Sequence, residues 1–132
     1  MNKSSFKIYC LLIITLFLYT SCKKDKCRAG SVGNLSLKVY TMHHLKYIKG
    51  CTVKIKFDIQ DFPGANGEYD LTTTAAGTDS FVTFNSLNCG DYYIYGTGID
   101  SSLTPISTVK GGIPYSTTQE NGTIELELPI TE

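Results

Sequence analysis

Residues 51–58 carry the feature that most restricts the fold: Cys51, Val53, Ile55 and Phe57 alternate with Thr52, Lys54, Lys56 and Asp58. A period of two places the apolar residues on one face of an extended chain and the polar ones on the other. That pattern fits a half-buried strand and no helix. It recurs along the chain. Leu35, Leu37 and Val39 alternate with Ser36, Lys38 and Tyr40 over 34–41, and Tyr69 and Leu71 face inward over 68–74. Val82 and Phe84 do so over 81–85, with Leu87 closing the end. In 91–97, Tyr92, Ile94 and Gly96 share one face, and Tyr93, Tyr95 and Thr97 the other. A short strand is expected at 113–118, where Pro114 suits an edge, and a last one at 123–130 on Ile124, Leu126, Leu128 and Ile130. Turn formers cluster between these runs, at 61–67, 75–80, 88–91 and 120–122. No helical heptad interrupts them. The chain should therefore be all-β, a single seven-stranded antiparallel Greek-key β-sandwich. Two longer connections remain, at 42–50 and 98–112.

The first 21 residues read as an address. Lys3 and Lys7 precede an almost unbroken apolar run from Ile8 to Tyr19, followed by Thr20 and Ser21. The run is about 12 residues, where a membrane-spanning helix needs roughly 20. Leu18-Tyr19-Thr20-Ser21-Cys22 resembles a bacterial lipoprotein signal, which implies cleavage before Cys22 and lipidation of that cysteine. Tyr19 replaces the usual aliphatic residue of that pattern. The expected divisions are a signal peptide at 1–21, a lipidated cysteine and tether at 22–33, and one β domain at 34–132. Cleavage would remove two of the 12 basic residues and none of the 12 acidic ones. The mature chain is then mildly acidic and has no basic stripe, which argues against nucleic-acid binding.

The arrangement of strands resembles prealbumin-like, carboxypeptidase-regulatory-like and CnaB-like sandwiches. Gly50 to Ile55, Gly77 with Val82 to Leu87, and Gly90 to Ile94 carry the likeness. The resemblance implies a rigid sandwich used as spacer, adhesin module or binding domain, and names no ligand.

Candidate chemistry is sparse. His43 and His44 are adjacent, and neighbours on an extended chain point apart, so they could share a metal only through a bent loop. Up-and-down strand order would place loops 42–50, 75–80 and 98–102 at one end, bringing Asp79 and Asp100 toward the histidines. His43, His44, Tyr47, Asp79 and Asp100 are accordingly the candidate binding surface, with His43 and His44 as weak metal candidates. Asp58, Asp61, Glu68 and Asp70 form a second acidic group without the dense spacing of a calcium loop. No nucleophile elbow, phosphate loop or organic-cofactor motif is present. Cys27, Cys51 and Cys89 remain once Cys10 is cleaved and Cys22 acylated. Strand order favours a Cys27–Cys89 bridge over one involving Cys51, with reduced thiols as the alternative.

Together these readings lead us to expect a non-catalytic envelope lipoprotein of the outer membrane. Lipid would hold it on the periplasmic or the cell-surface face, and its loops would meet a protein or glycan partner. The alternatives are a small zinc- or calcium-binding domain and a minor subunit of a surface assembly.

Overall fold

The computed structural model describes residues 27–132. The expected signal peptide, Cys22 and the tether as far as Lys26 lie outside the described residues. Eight strands form: β1 Asn34–His43, β2 Lys46–Tyr47, β3 Thr52–Phe57, β4 Leu71–Thr74, β5 Phe81–Leu87, β6 Gly90–Asp100, β7 Ser107–Thr117 and β8 Asn121–Pro129. They build two four-stranded sheets. In one, β1 pairs with β2, β5 and β8; the other runs β4-β3-β6-β7.

Three expectations about the strands are corrected. The strand count is eight because loop 42–50 folds back as a tight hairpin, with Met42 opposite Tyr47 and His43 opposite Lys46. The sandwich is also not wholly antiparallel, since β8 lies parallel to β1 from Asn34↔Asn121 to Met42↔Pro129. Alternation fixes which side chains face inward but carries no sign for strand direction. The supposed loop 98–112 is mostly ladder, β6 and β7 pairing from Gly90↔Thr117 to Asp100↔Ser107. Its glycines weaken the strand signal, and backbone pairing supplies what side chains do not.

The inner faces of the two sheets share one core. From β1 come Leu35, Leu37 and Val39, from β5 Val82, Phe84 and Leu87, and from β8 Leu128. The opposite sheet contributes Val53 and Ile55, Tyr92 and Ile94, and Val109. Gly96 continues the inward row of β6, and a Cβ there would lie 2.7 Å from Leu128 Cδ2. The sheets approach so closely at that point that a side chain would have to displace Leu128.

The outer face of β6 is covered as well. Tyr93 and Tyr95 are buried although they point away from the core. Phe62, on the connection after β3, lies with its ring centroid 5.7 Å from Tyr93 and 5.3 Å from Tyr95. Tyr69 stacks on Tyr95 at 6.0 Å, so it faces this outer cluster rather than the core expected for it. Burial raises the Tyr69 phenol to about 12.

An N-terminal strap closes one pole. Cys27 and Cys89 are joined by a disulfide. Ala29 N donates to Asp58 Oδ1, Arg28 Nε donates to Asp58 Oδ2, and Gly33 N donates to the Ser86 carbonyl. Gly90 has φ +148° and lies against this strap, where a Cβ would fall 2.2 Å from Ala29 N. Glycine is required there on both counts.

Candidate functional site

The pole opposite the strap is where the core turns polar. Along β1 the inward residues are Leu35, Leu37, Val39, Thr41 and His43. Along β6 the inward row is Tyr92, Ile94, Gly96, Gly98 and Asp100. Both rows begin apolar beside the strap and end on a titratable group. His43 and Asp100 therefore meet inside the far end of the sandwich, each 4% exposed.

Their contact is direct, with His43 Nδ1 2.9 Å from Asp100 Oδ2. The other carboxylate oxygen, Oδ1, accepts from Ser102 N at 2.8 Å and Ser102 Oγ at 2.6 Å. The His43 hydrogen bond, with those of Ser102, holds the Asp100 carboxyl down to about 2. An ionised carboxylate only accepts, so Nδ1 of His43 carries the shared proton and donates it. The Nε2 nitrogen is then left with its lone pair whenever the ring is neutral.

Two further polar groups are buried nearby. Thr41 Oγ1 donates to the Ile48 carbonyl at 3.0 Å. The Cys51 thiol, buried just before β3, points to the same carbonyl at 3.5 Å. Burial is the larger influence on Cys51 and pushes its thiol up, a weaker hydrogen bond with Thr41 acting the other way. This thiol is protonated at neutral pH and is no nucleophile.

His44 follows His43 but does not point away from it. The β1–β2 hairpin turns on only two residues, His44 with φ +46° and Leu45 with φ +64°. Positive φ at both central positions is the signature of a type I′ turn, which favours Asn-Gly. His-Leu is an unusual occupant of that geometry. The bend brings the two imidazole centroids to 4.1 Å. Glu132 also arrives here, because β8 runs parallel to β1 and so ends at the same pole. One ligating atom each from His43, His44 and Glu132 lies within 4.8 Å of the other two.

The candidate residues thus separate. His43 and Asp100 are brought together but lie buried, which corrects the expectation that they form open surface; both sit on the inward row of their strands. Tyr47 is half-exposed and donates from its hydroxyl to Glu127 at 2.7 Å. Asp79 reaches the same pole through its backbone carbonyl, which accepts from Gly50 N. The expected approach of Asp79 to the histidines does not occur, and Glu132 occupies that role. Of the acidic group at 58–70, Asp58 holds the strap. Asp70 accepts from Phe57 N at 2.7 Å and from Lys56 Nζ at 3.4 Å, so it too has a structural partner.

Exposed apolar side chains gather at this pole too. Leu45 is 92% exposed, Ile106 65% and Ile99 63%. With Tyr47 they make four of the six large hydrophobic residues left open to solvent among the described residues. Beside Glu132 lies a cleft of about 300 Å³ between Phe62, Tyr93, Tyr95, Lys110 and the Gly111-Gly112 pair. Glu132 thus stands between the histidines and an aromatic wall. Comparison of the chain with protein-family models, with curated protein sequences and with solved structures returned no match.

Proposed function

We propose that this chain is a membrane-anchored envelope lipoprotein whose β domain, 34–132, is a non-catalytic binding module. The fold is read as a prealbumin-like, Greek-key sandwich. Lipid on Cys22 would attach the protein to the outer membrane on its periplasmic or surface face, and several acyl chains on one cysteine anchor firmly. The partner is a protein or glycan of the envelope.

One observation carries this reading, the polarity of the domain. The strap that leads from the tether is pinned at one pole by Cys27 and Cys89. Leu45, Tyr47, Ile99 and Ile106 are displayed at the other. The ten residues of β1 separate the two poles by roughly 30 Å at about 3.3 Å per residue. A tethered sandwich with this layout presents its apolar, loop-borne end away from the bilayer. Solvent-exposed apolar side chains collected at one end of a rigid scaffold, two of them on its connecting loops, fit a contact surface.

Two variants test the two halves of the proposal. Cys22→Ala should release the protein from membranes with its fold unchanged; continued membrane association would refute the anchor. Leu45→Glu with Ile106→Glu should leave the fold intact and abolish recovery of the envelope partner captured by wild type. Undiminished capture would refute the contact surface.

A further inference from the structure

We propose that the pole opposite the strap holds one divalent transition-metal ion, Zn2+ fitting best, on His43 Nε2, an imidazole nitrogen of His44 and the Glu132 carboxylate. Asp100 acts as the positioning residue. This site shares its pole with the partner surface and does not depend on the lipid anchor.

Ligand chemistry, side-chain orientation and backbone geometry agree on this site. The first is composition. Two imidazoles and one carboxylate suit zinc, whereas calcium and magnesium prefer oxygen ligands throughout. Two histidines and a glutamate leave a fourth tetrahedral position for water.

The second is orientation. A ligating histidine characteristically donates its other ring nitrogen to a carboxylate, which fixes the tautomer and ring plane. His43 has that arrangement already, with Nδ1 on Asp100 at 2.9 Å and Asp100 itself held by Ser102. The lone pair of Nε2 is therefore fixed in direction before any ion arrives.

The third is the turn. Adjacent histidines on a straight strand cannot share an ion. Here the backbone bends at His44, with positive φ on both His44 and Leu45. Three ligating atoms, two from this hairpin and one from the segment after β8, already lie within 4.8 Å of one another. Zinc bonds of about 2.0–2.1 Å need ligand atoms roughly 3.3 Å apart, so small side-chain rotations complete the site. Glu132 and His44 are both exposed and free to make them.

The deciding experiment uses the full chain, extracted in detergent and stripped with chelator, titrated with zinc chloride by calorimetry. Wild type should take up one zinc ion per chain, and cobalt(II) in its place should give the visible absorption of a tetrahedral nitrogen–oxygen site. His44→Asn with Leu45→Gly installs the residues that this turn favours, so the fold is retained while a ligand is lost. That variant should bind zinc at least tenfold more weakly and lose the cobalt spectrum. Asp100→Asn should weaken zinc binding by about 10–100-fold, as loss of an orienting carboxylate does elsewhere. No uptake by wild type, calcium bound in preference to zinc, or undiminished binding by the turn variant would each overturn the proposal.

Discussion

Replacing both bridged cysteines, Cys27→Ser with Cys89→Ser, should cost this domain much of its stability. The bridge spans a sequence separation of 62 residues. Loop-closure entropy for that span amounts to about 4 kcal/mol at 25 °C. Domains of this size are stable by only about 5–15 kcal/mol in total. The native strap should survive the change, because Arg28 and Ala29 remain bonded to Asp58, and Gly33 to the Ser86 carbonyl. The loss therefore falls mainly on the unfolded chain, which gains freedom through β1 to β5. At about 4–8 °C per kcal/mol for a domain near 100 residues, Tm should fall by roughly 15–30 °C. The assay is urea unfolding followed by far-UV circular dichroism, on a soluble form beginning at Lys23. The midpoint should drop, and the slope should rise if the freed chain exposes more surface. A loss below about 1 kcal/mol would refute the reasoning, since the cross-link would then not be restricting the unfolded chain as its span requires.

Other consequences are more local. Gly96→Ala should destabilise by about 1–3 kcal/mol in the same assay, because its Cβ would press on Leu128 Cδ2 in a closed core. The Asp100 carboxyl is held down to about 2, so the stability it contributes is present above the ordinary carboxylate range and is lost as pH falls from about 4 to about 2. Thermal melts across that window should show this loss in wild type and a shallower one in Asp100→Asn. Cys51 is buried with its thiol pushed up, and alkylation should label it only as fast as the domain opens. Leu45→Gly alone should stabilise the hairpin by about 1 kcal/mol, since a left-handed leucine is relieved.

How much of this was legible in the chain depends on what each side of a strand faces. The alternation at 35–39 and 53–55 is clear because one face meets the core and the other meets solvent. At Tyr93 and Tyr95 the same rule places the side chains outside, which is correct, but it does not show that Phe62 and Tyr69 cover them. That cover comes from the 58–70 connection, whose Pro63-Gly64 signals mark a turn and not its destination. The ladder at 107–112 is masked by Gly111 and Gly112, which lack the side chains that advertise a strand.

The site divides in the same way. His43 and Asp100 could be brought to one end by strand order, because each lies where a recognisable strand runs out. Glu132 could not, since its arrival depends on β8 lying parallel to β1, and a period of two is silent on direction. The proximity of the two histidines rests on positive φ at His44 and Leu45, where the residues are not the Asn-Gly that announces such a turn. Asp79 shows the converse error. It shares the pole, yet its backbone and not its carboxylate makes the contact.

Cross-linking mass spectrometry on native membranes tests the central claim most directly, that the pole opposite the strap is the face that meets a partner. Lys46 and Lys49 are exposed at that pole, and Lys38, Lys54 and Lys56 lie along the strands of the body. The account predicts reproducible cross-links from Lys46 or Lys49 to one envelope protein, lost in the Leu45→Glu, Ile106→Glu variant. Cross-links confined to Lys23, Lys24 and Lys26, or running only through Lys38, Lys54 and Lys56, would contradict it.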